Sequence, residues 1–483
     1  MRVHVWVVVV LVFVLPVARA GVIDDENAKP GTSEWKVPAP AANGEIEGYA
    51  SLTSAAPGET IRFYVRANDP HYTIEIFRMG WYGGMGGRRM TQAVRRASVT
   101  QPMPSPDPAT GLIECNWGDP YLFVIPNDWV SGVYLAKLTG QPGGLGAYII
   151  FVVRSTPDRA ARFVVQTSAT TYQAYNDWGG KSLYSFNSIG GRAFKVSFNR
   201  PYVPNAGAGD FLYGGEYSAV RFLEREGYDV TYTTDLDTHE RGADLLRAAG
   251  FIDIGHDEYW TWQMRDAVEY ARDAGVNLAF LSANTCYWQI RLEPSPISGE
   301  PDRTIAAWKE DALTRDPVLL DGDPSNDHLA TTLWRNAPVF RPEDEMIGTM
   351  YTYATIRTDL VIGDTSHWVF DNSGLKSGDH LPMLLGYEVD RSTVTSYPGT
   401  IVLTHSPFTQ ADGTPNESNM TIYTAHSGAT VFATGTIYWC LGLDDFNAAE
   451  RLYAPPSAPA QQITRNVLAR MEQRAVRRRR VVE

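Results

Sequence analysis

The chain has few cysteines, and their spacing does not suit a metal site. Cys115, Cys286 and Cys440 are the three in 483 residues. None falls in a CxxC or comparable spacing, which argues against a cysteine-based zinc site. In an exported protein, an odd count is consistent with one disulfide and one buried thiol, and the sequence does not say which pair would bond.

The chain also lacks a basic stripe and, after its first residues, a long apolar run. It has 42 Lys and Arg against 55 Asp and Glu, a net charge of −13, so a nucleic-acid partner is not expected. No segment approaches the roughly 20 apolar residues of a membrane span, so no integral membrane protein is predicted. The basic tail, residues 476–483, is interpreted as a solvated helix end.

The N-terminus has the composition of an export signal. Arg2 precedes the apolar run Val5–Val17, and the small-x-small site Ala18-Arg19-Ala20 follows. This order predicts a signal peptide over residues 1–20 with cleavage near Ala20, and hence a secreted or extracytoplasmic protein. An uncleaved anchor is the alternative.

The rest of the chain divides by its hydrophobic period. Residues 21–44 are rich in Pro, Ala and Gly and are predicted to be a linker. Residues 45–155 contain several short strands of period 2, which predicts an antiparallel Ig-like β-sandwich. Residues 156–475 alternate strands and helices, which predicts an α/β domain with a parallel sheet flanked by helices.

One strand end carries a concentration of polar groups. The apolar strand beginning at Phe251 stops at Gly255, and His256, Asp257 and Glu258 follow immediately. Open α/β sheets place their ligand sites at the carboxyl ends of strands. Helix capping by Asp257 or Glu258 is the alternative interpretation.

Six ordered blocks resemble a known family. Between residues 46 and 475 the chain is similar to the N,N-dimethylformamidase large (β) subunit-like family, most clearly to that family's C-terminal domain. The blocks that carry the resemblance are Tyr172–Gly180, Glu216–Tyr228, Gly255–Trp260, Asn284–Arg291, Leu385–Asp390 and Gly435–Trp439. The resemblance implies a fold like that of class I glutamine amidotransferases, preceded by a β-sandwich.

The resemblance also implies an iron site. The characterised family enzyme is an amidohydrolase whose mononuclear iron is held by two tyrosines and a glutamate, with a histidine beside it. Carried over, Glu258 is the carboxylate ligand, His256 the neighbouring base, and Tyr175 and Tyr217 the phenolate ligands. Tyr172 and Tyr213 form the alternative register. Hard oxygen ligands of this kind suit ferric iron, and the ion would activate a water molecule for attack on an amide carbonyl.

Two further residues are expected in the same cleft. Asn284 and Trp288 follow the strand that ends at Ser282 and are predicted to contact the substrate. Cys286 lies between them, and a buried structural thiol is preferred there over a nucleophile of a thiol enzyme.

The function expected from the sequence is therefore that of an exported metal-dependent hydrolase acting on an amide or another C–N bond of a small molecule. Because the chain is predicted to be exported, dimethylformamide itself is not expected to be the substrate. A homo-oligomer or a small partner subunit stays open. The alternative is a secreted, non-catalytic binding protein that holds a carbohydrate or cell-surface ligand in an aromatic cleft.

Overall fold

A computed structural model describes residues 21–156, 159–446 and 454–482. The predicted signal peptide, residues 1–20, and the side chains of the predicted basic tail, residues 476–483, lie outside the described part. Within that part, no helix combines the length and the apolar character needed to cross a membrane.

The first part of the chain forms two sheets that share one core. After the helix α1 (Val22–Asn27), the strands are β1 Ile46–Ala50, β2 Ser54–Ala55, β3 Thr60–Ala67, β4 His71–Met79, β5 Gly87–Arg89, β6 Val94–Ala97, β7 Tyr121–Val124, β8 Gly132–Gln141 and β9 Gly146–Val153. One sheet has the order β1-β3-β7 and the other β2-β9-β8-β4-β5, with β6 paired to β4. All pairs are antiparallel except β2 with β9. Phe63 of β3 meets Phe151 of β9 across the core, with ring centroids 5.5 Å apart.

The second part is larger and more varied. Its helices are α2 Ala169–Tyr175, α3 Ala208–Tyr213, α4 Glu216–Arg225, α5 Asp235–Arg241, α6 Trp262–Asp273, α7 Ala312–Arg315, α8 Pro317–Leu320, α9 Asp344–Ile347 and α10 Ala458–Val482. Its strands are β10 Phe163–Thr167, β11 Lys195–Ser197, β12 Val230–Thr234, β13 Gly250–Gly255, β14 Tyr259–Thr261, β15 Asn277–Ser282, β16 Trp288–Glu293, β17 Thr304–Ala306, β18 Met350–Val361, β19 His380–Arg391, β20 Ile401–Val402, β21 Ser406–Thr409, β22 Pro415–Ser418, β23 Thr421–Thr424 and β24 Thr430–Ala433. The domain boundaries given above stay a prediction.

The predicted parallel, amidotransferase-like sheet is wrong. The largest sheet has the order β12-β10-β13-β15-β24-β23-β20. Its first five strands pair in parallel, but β23 pairs antiparallel with both of its neighbours, β24 and β20. The cause is local: β23 and β24 are joined by the tight turn Ala425–Ala429, closed by a hydrogen bond from the N–H of Ala425 to the carbonyl of Ala429, and a hairpin can only be antiparallel. The sheet is therefore mixed, and β18 with β19 and β21 with β22 add separate antiparallel pairs.

The parallel strands end together, and their ends carry the polar segments. Strand β10 leads into α2, β13 ends at Gly255, and β15 ends at Ser282. Gly255 has φ +78°, and a Cβ there would lie 2.7 Å from the Cγ of Glu216. Only glycine fits this position, because it tolerates a positive φ and leaves room for the neighbouring carboxylate.

A buried ion pair joins the first part to the second. The guanidinium of Arg78, on β4, donates to both carboxylate oxygens of Glu224 on α4, at 2.6 and 3.1 Å. Both side chains are fully buried, and Glu224 also accepts from the hydroxyl of Tyr232 at 3.0 Å. This pair fixes α4, the helix that begins at the site described below.

Candidate active site

The carboxylate of Glu258 is the centre of the site. It follows β13 and is 2% exposed. The hydroxyl of Tyr175 donates to Oε2 of Glu258 at 2.7 Å, and the hydroxyl of Tyr184 donates to Oε1 at 2.7 Å. The two phenol rings stack on each other with centroids 4.4 Å apart. Three hard oxygen groups therefore converge at one buried point.

A histidine adjoins this carboxylate and is held by a second one. Nε2 of His256 lies 3.4 Å from Glu258 and 3.0 Å from Oε2 of Glu388. Glu388 comes from β19 and also accepts from Nδ2 of Asn284 at 2.6 Å. Burial alone lowers the pKa of His256, but the charges of Glu388 and Glu258 outweigh burial and raise the pKa to about 9.

The phenols of this site are hard to ionise without a cation. Burial, followed by the nearby Glu258 carboxylate, raises the pKa of both Tyr175 and Tyr184 well above the ordinary range. Burial also raises the pKa of Glu258, and His256 opposes that shift. A metal ion reverses this balance, because its charge favours the deprotonated ligands.

The donor set suits a hard metal ion through its phenols. Among the described residues, no group of three or more His, Cys, Asp or Glu side chains is arranged to hold a metal. A metal at Glu258 would therefore depend on the oxygens of Tyr175 and Tyr184. Phenolate and carboxylate oxygens together fit ferric iron better than zinc, which prefers nitrogen and sulfur.

The Glu258 group opens onto a cavity of about 750 Å³. Tyr172, Asn284, Trp288 and Glu388 are among its lining residues, and Tyr351 and Tyr387 reach it from β18 and β19. This volume is in the usual range of small-molecule sites.

A buried lysine lies behind Tyr184. Nζ of Lys309 is 3.5 Å from the centroid of the Tyr184 ring and 4.9 Å from that of Trp288. Burial lowers the pKa of Lys309 to about 7, although the charge of Glu258 opposes the shift. Its Nζ donates to the backbone carbonyl of Leu183 at 3.2 Å, so the lysine fixes the segment that carries Tyr184.

Comparison with known proteins decides the family. The sequence model of the family described as N,N-dimethylformamidase beta subunit-like, C-terminal, matches residues 73–452. The chain belongs to this family. Curated relatives are the N,N-dimethylformamidase beta subunit of Paracoccus aminophilus, 26% identical over 242 residues, and that of Alcaligenes sp, 25% identical over 242 residues. In each case the match covers 41% of this chain and 31% of the relative, so the chain spans less than a third of either relative.

The dimethylformamidase-like family was predicted from the sequence and is confirmed, but one of the predicted ligands is not at the site. Tyr217 is fully buried on the other side of α4, where its hydroxyl donates to the backbone carbonyl of Gly86. Its ring packs against Trp35 and Phe446. The interpretation of Tyr217 as a metal ligand is therefore wrong in this structure.

The alternative register is not supported either. Tyr172 lines the cavity, but its hydroxyl donates to Glu216 instead of Glu258. Tyr213 lies on the wall of a different cavity, together with Trp35 and Tyr148. Of the predicted residues, the structure brings Tyr175, His256, Glu258, Asn284 and Trp288 to one place.

Two residues that the structure brings to this site were not predicted from the sequence. Tyr184 stands in an irregular segment without periodicity, and its only signal was the concentration of aromatic residues near Gly179 and Gly180. Glu388 falls in the block Leu385–Asp390, which supported the family but suggested no role for a carboxylate. Both residues reach the site through the fold and not through sequence spacing.

The cysteines take no part in the site. Cys115, Cys286 and Cys440 are all buried and free, so the expected disulfide is absent. Burial raises the pKa of the Cys286 thiol well above its ordinary value. A thiolate nucleophile at Cys286 is therefore disfavoured, as the sequence indicated.

Proposed function

We propose that this protein is a hydrolase that cleaves an amide or another C–N bond of a small molecule in the Glu258 cavity. The observation that carries the proposal is the pair of phenol hydroxyls, from Tyr175 and Tyr184, on the two oxygens of one buried carboxylate. Relatives named as N,N-dimethylformamidase subunits support an amide as the substrate class.

Tyr175, Tyr184 and Glu258 are the residues proposed to hold a mononuclear iron. When bound, the ion would supply a Lewis acid that polarises the scissile carbonyl and lowers the pKa of a water molecule. The main chain of Glu258 is held in place, because its backbone N–H donates to Oγ1 of Thr171 at 2.9 Å.

The remaining chemistry belongs to His256. Its Nε2 faces the carboxylates of Glu258 and Glu388, so a proton on this nitrogen is stabilised from two sides. A cation at Glu258 would remove that carboxylate's share of this stabilisation and so favour the neutral imidazole. We expect the neutral form of His256 to take the proton from the attacking water at Nε2 and, as imidazolium, to deliver it to the leaving nitrogen. Glu388 lies 3.0 Å from the same Nε2, so it stabilises the imidazolium that forms when the proton is taken.

Two wider features are also proposals. Export rests on the sequence of residues 1–20, and N-terminal sequencing of protein recovered from the extracytoplasmic fraction tests it. A partner subunit rests on the names of the relatives, which are beta subunits, and light scattering of the purified chain distinguishes a monomer, a homo-oligomer and a complex.

The decisive experiment measures iron content, the visible spectrum and hydrolysis of a panel of small amides after iron reconstitution. We expect near-stoichiometric iron, a phenolate charge-transfer band and amide turnover, all lost in Glu258→Gln. The matched control is Glu216→Gln, because Glu216 is also a buried carboxylate that accepts from a tyrosine in the same cavity. Iron retained by Glu258→Gln, or lost equally in both variants, would contradict the assignment.

A further inference from the structure

The rim of the Glu258 cavity carries an exposed aromatic ring. Phe186 lines the cavity, yet the residue is 76% exposed. Among the described residues, Tyr184 is the one aromatic ring packed against it, with centroids 5.2 Å apart, and no Lys or Arg side chain lies over its face. Apolar surface in contact with water favours a ligand that covers it. The open face of Phe186 is therefore available to a ligand in the cavity.

The ring is held beside the proposed reaction centre by its neighbours in the chain. The hydroxyl of Tyr184 donates to Oε1 of Glu258 at 2.7 Å. On the other side of Phe186, Nδ2 of Asn187 donates to the backbone carbonyl of Tyr175 at 3.0 Å. Because the residues that flank Phe186 are bonded to the groups proposed to hold the metal, its ring has a fixed place relative to them.

Tyr387 adds aromatic surface from a different part of the fold. It lies on β19, lines the same cavity and is 41% exposed. Within the described part of the chain, no aromatic ring stacks on it and its hydroxyl has no hydrogen-bond partner. The next residue, Glu388, holds His256. Open aromatic surface therefore comes from the Tyr184 segment and from β19 alike.

The size and the chemistry of the cavity indicate which kind of group fits there. Its volume of about 750 Å³ is that of sites for drug-sized ligands, so an amide with only methyl substituents would fill a small part of it. The phenyl ring of Phe186 offers no hydrogen bond to the hydroxyls of a sugar, which would lose their water on binding. Two aromatic rings stack on each other without that loss. These features favour a planar apolar group in the ligand.

We infer that the substrate of this cavity is an amide that carries an aromatic ring, and that this ring packs on Phe186 while the amide lies at Glu258. Phe186 is then a specificity-determining residue, and Tyr387 supplies further apolar contact. The inference rests on the proposed function for the amide bond and goes beyond it by naming the second group of the substrate. Stacking of the ring does not require cleavage, so its binding can be measured separately.

Calorimetry with ketone probes measures binding without turnover, because a CH2 group in place of the amide N–H cannot be hydrolysed. In 1-phenylbutan-2-one the ring is on the acyl side, and in 4-phenylbutan-2-one it is on the amine side. Their cyclohexyl counterparts keep the apolar bulk but lose the flat ring. We expect at least one phenyl ketone to bind roughly three- to tenfold more tightly than its cyclohexyl counterpart. If neither phenyl ketone bound more tightly, the inference would be overturned.

Variants locate the preference. Phe186→Ala should remove most of it and leave the weak binding of butan-2-one unchanged, whereas Phe186→Tyr should retain it. Because Phe186 is 76% exposed, neither change is expected to disturb folding. The matched control is Ile189→Ala, since Ile189 is 77% exposed on the same loop but is not among the residues that line the cavity. An undiminished preference in Phe186→Ala, with loss of a native assembly by light scattering, would assign the ring to a subunit interface and overturn the inference.

The two proposals fail separately. A preference for phenyl ketones without cleavage of any amide would contradict the hydrolase and leave the aromatic site standing. If aromatic amides are cleaved, Phe186→Ala should raise their KM three- to tenfold with little change in kcat, because it removes binding shared by the ground and transition states. Cleavage of aromatic and methyl-substituted amides with equal KM, unchanged in Phe186→Ala, would leave the hydrolase standing and contradict the aromatic site.

Discussion

Replacing Tyr184 with Phe tests the residue that sequence reasoning missed. The change removes one hydroxyl and keeps the ring, so the stack on Tyr175 and the contact with Lys309 stay in place. What is lost is the hydrogen bond to Oε1 of Glu258. Tyr217→Phe is the matched comparison, because it also removes a buried phenol hydroxyl, in this case one bonded to the carbonyl of Gly86.

The expected losses of stability are similar in kind and differ in size. A hydrogen bond to a charged group contributes about 1.5–3 kcal/mol, and one between neutral groups about 0.5–1.5 kcal/mol. Without metal, Tyr184→Phe should therefore lower the free energy of unfolding somewhat more than Tyr217→Phe does. Stability alone would not separate a ligand from a structural tyrosine.

Iron binding separates the two. Removing an outer hydrogen bond around a metal site costs roughly 10–100-fold in affinity, and removing a ligand oxygen should cost more. We expect Tyr184→Phe to bind iron weakly, with a diminished phenolate band. Tyr217→Phe should bind iron and show the band as the native protein does.

The assay is titration of metal-free protein with ferric iron in the presence of a competing chelator, followed by the visible spectrum. An unchanged band and affinity in Tyr184→Phe would refute the reasoning. Loss of both in Tyr217→Phe, with correctly folded protein by circular dichroism, would restore the ligand set predicted from the sequence and contradict the arrangement around Glu258.

Two further predictions concern stability. Burial raises the pKa of Asp390 to about 7, despite the hydrogen bond from the N–H of Asn284. Between the ordinary pKa of Asp and pH 7, the folded state therefore keeps a proton that the unfolded state releases. Because of this difference, Asp390 lowers the free energy of unfolding as pH rises. Asp390→Asn should therefore change the free energy of unfolding little at pH 4 and raise it by up to about 4 kcal/mol above pH 7. Urea unfolding at both pH values measures this, and a difference that does not change with pH would contradict the prediction. Glu224→Gln should lower the free energy of unfolding by about 3–5 kcal/mol, because it leaves the buried guanidinium of Arg78 without its counterion. Glu226→Gln removes a partly exposed ion pair at the same end of the helix and should lower it by less than about 1 kcal/mol. Equal midpoints of urea unfolding for the two variants would contradict both values.

The sequence predicted the residues that follow a regular strand. Phe251, Ile252 and Ile254 form the buried strand β13, and the chain leaves it at a glycine, so His256 and Glu258 had to appear at the carboxyl edge of the sheet. The helix α6, Trp262–Asp273, follows closely, and its buried residues recur at helical spacing. These features were predictable because they depend on the local spacing of apolar residues, which can be seen in the sequence.

The positions of the tyrosines at the site could not be predicted from local sequence pattern. Glu216 and Tyr217 are neighbours on α4, but successive helical residues point about 100° apart. Glu216 faces the cavity, whereas Tyr217 faces the first part of the chain and packs against Trp35. Which face of α4 meets which neighbour is decided by the tertiary fold, so the sequence did not show that Tyr217 faces away from the cavity. Tyr184 lay in a segment with no period at all.

The antiparallel additions that contradicted the predicted fold also complete the site. Glu388 on β19 supplies the 3.0 Å partner of His256 and the 2.6 Å partner of Asn284, a residue 104 positions away in the sequence. Asp390, two residues further along the same strand, holds the backbone of Asn284. The parallel strands place His256 and Glu258, but without the β18–β19 pair the histidine would lack the second carboxylate and Asn284 would lose both of its anchors. A purely parallel sheet would thus bring the proposed iron ligand and the proposed base together without the second carboxylate beside that base and without the anchors of the amide predicted to bind substrate.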